Sequence, residues 1–205
     1  MAGLLVLLLS AYLCGSIPTG VWLSRRRGID PRDIGSGNIG AANVTRAAGV
    51  ATGLMTFAGD ALKGLLPVLV ATHAGYAEPI AALAGFAAFI GHLYSCFLRL
   101  RGGKGVATAL GVLLGLAPFT VMIVMPLFAL TAALSRYVSL ASLLAACVTP
   151  LLLIALRYPP ATTAVGFATC LLIGVRHRYN IRRLRFGTEP RIGSARASGA
   201  DSGLA

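Results

Sequence analysis

Long runs of leucine, alanine, valine and isoleucine alternate along the chain with short islands of glycine, asparagine, serine and arginine. A helix that crosses a bilayer needs about 20 largely apolar residues, within a range of ~17–25. The runs at roughly 2–23, 50–72, 79–98, 105–118, 119–135, 138–157 and 159–175 predict such helices. The stretch 105–135 reads as one long tilted helix or as two short ones. Pro118 favours two, because the residue before a proline avoids the helical region. The first run has no basic residue ahead of it and continues through "SIPTGVWL", so it reads as a retained span rather than a cleaved leader.

Charge placement supports the division into seven. The loops after the first, third, fifth and seventh spans share one side, and they hold all 18 lysines and arginines except Arg157 and Lys63. Cytoplasmic loops carry such an excess, so the N-terminus is expected outside and the C-terminus inside. Merging 105–135 would put Arg136 and the C-terminal arginines outside. Composition agrees: 57% of the 205 residues are hydrophobic and 12% charged, against about 25% charged in soluble domains, and mean hydropathy is +0.81. The net charge of +12 then points to membrane surfaces and an anionic ligand, not to nucleic acid. The expected fold is an all-α polytopic membrane protein of seven transmembrane helices. Residues 1–186 form one domain, and 187–205 form a polar cytoplasmic tail that is partly disordered.

The polar islands are "GSIPTG" (15–20), "IDPRDIGSGNIGAANVTRAAG" (29–49), "GDALKG" (59–64), "FLRLRGGKGVAT" (97–108), "RYVSLAS" (136–142) and "RHRYNIRRLRFGTEPRIG" (176–193). Gly35, Gly37 and Gly40 match the dinucleotide pattern, with Asp60 downstream. That fingerprint needs a preceding strand within a βαβ unit, and here a membrane helix and an arginine triplet precede it. Asp60 and Lys63, at i and i+3 in apolar surroundings, neutralise each other instead. "GGKG" fails as a Walker A loop, since positions 98 and 105 are Leu and Gly. Glycines still let backbone N–H groups approach an anion, Lys104 adds charge, and a helix begins next. Gly35–Asn38 and Gly102–Gly105 are therefore candidate anion cradles on one membrane face, with Arg46 nearby.

His177 and Asn180 share a helix face among arginines suited to anionic lipid heads. His73 and Glu78 fall in a short outer loop away from the other islands, and their spacing carries no function. His92 is either a buried structural histidine or a site residue. Cys14, Cys96, Cys147 and Cys170 lie singly in apolar stretches, so no metal, disulfide or cofactor is expected. A transporter for an organic phosphate would share the spans and basic face. Such proteins place their sites near the midplane, however, whereas these islands crowd one interface.

"GSIPTG", "RDIGSGNIGAANVTRAAG", "GDALKG", "GH" before "FLRLRGGKGVATALG", and "RHRYNIRRLRFGTE" occur in that order over 15–189. Together they resemble the bacterial acyl-phosphate:glycerol-3-phosphate acyltransferase family. The resemblance implies a seven-helix enzyme of the bacterial inner membrane, with its site on the cytoplasmic face, and the chain is expected to work as a monomer. It would move an acyl chain from acyl phosphate to the 1-position of glycerol 3-phosphate, giving lysophosphatidate and inorganic phosphate. It implies functional roles for Ser36, Asn38, Asn43 and Arg46, for Gly102, Gly103, Lys104 and Gly105, and for His177 and Asn180. Ser142 would add a polar contact, and Glu189, like Asp60 and Lys63, would be structural. The family usually has threonine where this chain has Ala42, so no hydroxyl role carries over there. With an activated anhydride as donor, transfer is expected to be direct, with the acceptor's proton passing to a phosphate oxygen and Ser36 donating to the oxyanion.

Overall fold

The structure, a computed structural model, describes residues 1–193, which are helix and turn with no β-strand among them. The chain runs α1 (Ala2–Ser16), α2 (Thr19–Arg25), α3 (Ala41–Ala48), α4 (Val50–His73), α5 (Glu78–Leu93), a 3₁₀ turn at Cys96–Leu98, α6 (Val106–Leu116), α7 (Pro118–Ser135), α8 (Val138–Ala155), α9 (Pro160–Arg176) and α10 (Arg178–Arg185). Five segments among the described residues are long and apolar enough to cross a membrane: Ala2–Arg25, Val50–His73, Glu78–Leu98, Pro118–Ser135 and Val138–Ala155. The apolar helices Val106–Leu116 and Pro160–Arg176 are shorter. The chain does break at Pro118, where Ala117 takes φ −147° and ψ 61°.

The first apolar run is not one helix. Pro18 lacks an N–H, so the chain opens at Ile17 and restarts at Thr19. The opening is stitched from α4: Lys63 Nζ donates to the Ile17 carbonyl at 2.9 Å, and Thr19 Oγ1 donates to Asp60. Lys63 and Asp60 pair at 2.8 Å, both almost fully buried. A buried pair survives when further hydrogen bonds satisfy it, and the helix break supplies them here.

Small residues set the helix spacing, as is usual where lipid offers no hydrophobic drive. Gly15 and Gly91 bring α1 and α5 so close that a Cβ on either would overlap backbone of the other helix. Gly64 and Gly111 do the same for α4 and α6. Arg27 donates to the Ala48 carbonyl, Arg176 to those of Gly102 and Gly103, and Arg136 to that of Ile192. These contacts gather the basic loops at one end of the bundle. Arg157 lies in the turn between α8 and α9. The segment 187–193 also belongs to the basic end: Glu189 is buried and the Ile192 N–H donates to the Arg136 carbonyl at 2.7 Å. The disorder expected of the remaining tail falls on 194–205, outside the described residues.

Candidate active site

At the basic end lies a cavity of about 350 Å³. One wall is the loop before α3, whose shape Asn43 dictates. Asn43 Nδ2 donates to the carbonyls of Pro31 (2.8 Å) and Ile34 (3.0 Å), and its Oδ1 accepts the Ser36 N–H at 3.0 Å. Gly35 and Gly37 take positive φ (63° and 68°) to turn the chain around that amide. Gly35, Ser36 and Asn38 consequently line the cavity, followed by Ala41, Ala42 and Arg46 of α3. Asn43, expected as an anion-binding residue, spends both amide hydrogens on the loop, so it positions Ser36. Gly37 is not among the lining residues.

The second wall is the turn between α5 and α6. Arg99 and Leu100, both left-handed, fold the chain back under α5. The N–H groups of Gly102 and Gly103 then donate to the carbonyls of Leu93 and His92, each at 3.1 Å. Their carbonyls accept Arg176 Nη2 (2.6 Å) and Nε (3.0 Å). The backbone cradle expected at Gly102 and Gly103 is therefore not available to an anion, because both donors already cap α5. Arg176, read from the sequence as lipid-facing, is the clasp on this turn. Gly105 takes φ 83° as the N-cap of α6, and Lys104 and Gly105 line the cavity.

The third wall comes from α8, α9, α10 and the segment after α10. Lys104 Nζ donates to Asn180 Oδ1 at 2.5 Å, Asn180 Nδ2 donates to Glu189 at 2.6 Å, and Arg183 Nε donates to Glu189 at 2.7 Å. Burial, with Arg183, Arg46 and Arg176 nearby, pushes the Lys104 ammonium down to about 8, against the opposing pull of Glu189. His177 sits between α9 and α10, 2% exposed, with its Nδ1 2.8 Å from the Ile173 carbonyl. Nδ1 must donate there, which leaves Nε2 an acceptor. Burial and then the Lys104 cation push this imidazole down to about 4, so it is neutral at ordinary pH. The Ser142 hydroxyl donates to the Val138 carbonyl within α8, and the residue lines the cavity.

Asp60 and His92 also line the cavity, joined by Ser139, Arg183, Phe57 and Phe128. None of the last four was singled out from the sequence: Phe57 and Phe128 sit in apolar runs, and Ser139 and Arg183 sit in polar islands with nothing local to mark them. Phe57, Val106, Phe128 and Ser142 are shared with a second, apolar space of about 80 Å³ running between α6, α7, α8 and α9, past Leu113, Met125 and Ile173. A basic compartment thus opens into a hydrocarbon slot.

The family model for glycerol-3-phosphate acyltransferase matches residues 5–187. The chain is 50% identical over 188 residues to the glycerol-3-phosphate acyltransferase of Geobacter sulfurreducens, covering 92% of this chain and 97% of that one. It is 51% identical over 188 residues to that of Geobacter metallireducens, with the same coverage. Among solved structures it is similar to PlsY (YgiH), an integral membrane glycerol 3-phosphate acyltransferase, in its glycerol 3-phosphate form: TM-score 0.90, 40% identity, 93% of this chain and 96% of that one. The lysophosphatidic acid form of that protein gives 0.87 and 39%, covering 92% and 95%. A basic cavity joined to an apolar slot, within a multi-pass membrane bundle that matches along nearly its whole length, identifies the chain as an acyltransferase that belongs to the glycerol-3-phosphate acyltransferase family.

Proposed function

We propose that the protein transfers an acyl chain from acyl phosphate to the 1-position of glycerol 3-phosphate, releasing lysophosphatidate and inorganic phosphate. The observation that carries this reading is the two-part cavity: cations gather in the polar compartment, and an apolar space lined by hydrocarbon side chains continues from it. Both substrates carry phosphate, and Arg46 and Lys104 both line the compartment that would receive them. Arginine grips a phosphate with two parallel N–H bonds, whereas lysine contributes a point charge.

Acyl phosphate is a mixed anhydride with a good leaving group, so positioning and charge stabilisation suffice. The acceptor's 1-hydroxyl donates to His177 Nε2, held neutral and in one tautomer, and attacks the acyl carbon. As that bond forms, the proton moves through His177 Nε2 to an oxygen of the departing phosphate, the C–O bond to phosphate breaks, and Ser36 donates to the oxyanion that forms between. Asn180 and Glu189 hold Lys104 in place. The bundle crosses the inner membrane seven times as a monomer, with α6 and α9 as short crossings, and the site lies at the cytoplasmic face, where glycerol 3-phosphate is dissolved.

Purified protein given acyl phosphate and glycerol 3-phosphate is expected to release one phosphate per lysophosphatidate formed, and acyl-CoA is not expected to replace the donor. Turnover of acyl-CoA at a comparable rate, with no use of acyl phosphate, refutes the donor assignment.

A further inference from the structure

One buried ring has no part in the reaction as written. His92, 3% exposed, hangs from the last turn of α5 and lines the polar compartment. Its Nδ1 is sealed off without a hydrogen-bond partner and faces Asp60 Oδ1 at 3.8 Å. Asp60 is in turn fixed by Lys63 and Thr19. A carboxylate so placed favours the tautomer with its proton on Nδ1, leaving the lone pair on Nε2. Nε2 lies against Gly103, where any Cβ would overlap it, so a side chain there would displace the ring. His177 repeats the pattern, with the Ile173 carbonyl in place of the carboxylate. The compartment therefore offers two imidazole acceptors among the cationic donors Arg46, Lys104 and Arg183. A phosphate dianion has no proton to give either ring. A hydroxyl does, and the acceptor substrate proposed above has two.

We infer that His92 Nε2 accepts a hydrogen bond from the 2-hydroxyl of glycerol 3-phosphate and so selects a diol phosphate over a monohydroxy one. His177 lies one turn beyond Ile173, which lines the apolar slot, so His177 meets the hydroxyl that must reach the acyl carbon. His92, which packs against Gly103 and lines the same compartment, is left for the hydroxyl that does not react. This inference rests on the proposed reaction. A protein that fails to acylate glycerol 3-phosphate from any donor refutes that reaction, and the comparison below begins only once turnover is seen.

The comparison is between glycerol 3-phosphate and 3-hydroxypropyl phosphate, which lacks only the 2-hydroxyl. Wild type should prefer the diol in kcat/KM by at least ~10–100-fold, because the analogue leaves a buried acceptor unpaired. His92→Phe should bring the two acceptors to within ~3-fold of each other, and His92→Gln, whose Oε1 reaches the Nε2 position, should restore the preference. Parity in the wild type overturns the inference outright, as does an unchanged preference in His92→Phe. If His92→Phe is inactive with both acceptors, His92→Gln decides: a retained preference supports the inference, and an active His92→Gln without preference overturns it.

Discussion

Lys104 concentrates the electrostatics of the site in one side chain. Its ammonium reaches Asn180, which is itself held by Glu189. Lys104→Ala and Arg46→Ala should each lower activity ~10–100-fold, since charged hydrogen bonds to phosphate are worth ~1.5–3 kcal/mol. Steady-state kinetics of the two variants check this. The pH dependence has a definite sign. With its folded value lowered to about 8, Lys104 is a cation below that pH and loses its charge as pH rises through it. A substrate phosphate becomes a dianion above about pH 6. The kcat/KM for glycerol 3-phosphate should therefore peak between these limits and fall on the alkaline side, because it reports the free enzyme. Lys104→Arg, which stays charged, should remove the alkaline limb. Lys104, His177 and Asn180 were legible in the sequence because charge beside glycine, and imidazole beside amide, have few structural uses at a membrane face. The N–H groups of Gly102 and Gly103 were misread because nothing local tells that the end of α5 folds back over them. His92 was left undecided for the same reason: its partner Asp60 arrives from α4.

At the scale of elements, the long apolar helices were legible because a bilayer imposes both length and composition, and the break at Pro118 followed from proline's own geometry. The break at Ile17–Pro18 was read through as one span, although Pro18 is the same signal. What makes it tolerable is tertiary: Lys63 takes up the Ile17 carbonyl that the break exposes. Removing Lys63 should therefore cost more than removing the pair. Lys63→Met leaves Asp60 charged and buried, a loss of ~3–5 kcal/mol, whereas Lys63→Met with Asp60→Asn should recover part of it. Thermal unfolding of the detergent-solubilised variants compares them. The eight-residue helices α3 and α10 were not drawn from the sequence as separate elements. Helices this short are marginal alone, and α3 exists by packing on α4, with Thr45 seated against Gly53. The amide of Asn43 then orders the loop ahead of it, which is how an irregular island comes to present Ser36.

At the scale of the molecule, the polar islands converge because the basic loops lie at one end, and the hydrocarbon slot runs from that cavity into the bundle. The sidedness of this end is testable in cells. In a background with all four cysteines replaced by alanine, Arg25→Cys and Arg185→Cys should resist a membrane-impermeant thiol reagent, while Tyr76→Cys should react. Labelling at position 185 from outside contradicts the orientation. The same background should remain active, since Cys96 and Cys147 are exposed outside the cavity, Cys14 is not part of its lining, and Cys170, on the wall of the apolar slot, loses only a sulfur on becoming alanine. In the proposed reaction the acyl chain passes straight from one phosphate-bearing substrate to the other without resting on the protein. The most direct test is to incubate the purified protein with acyl-labelled acyl phosphate in the absence of glycerol 3-phosphate, denature it, and count the label that stays on the chain. No label should be retained, and on addition of glycerol 3-phosphate before denaturation, the label should pass into lysophosphatidate. Stoichiometric label surviving denaturation in the wild type, and absent in Ser36→Ala, contradicts direct transfer.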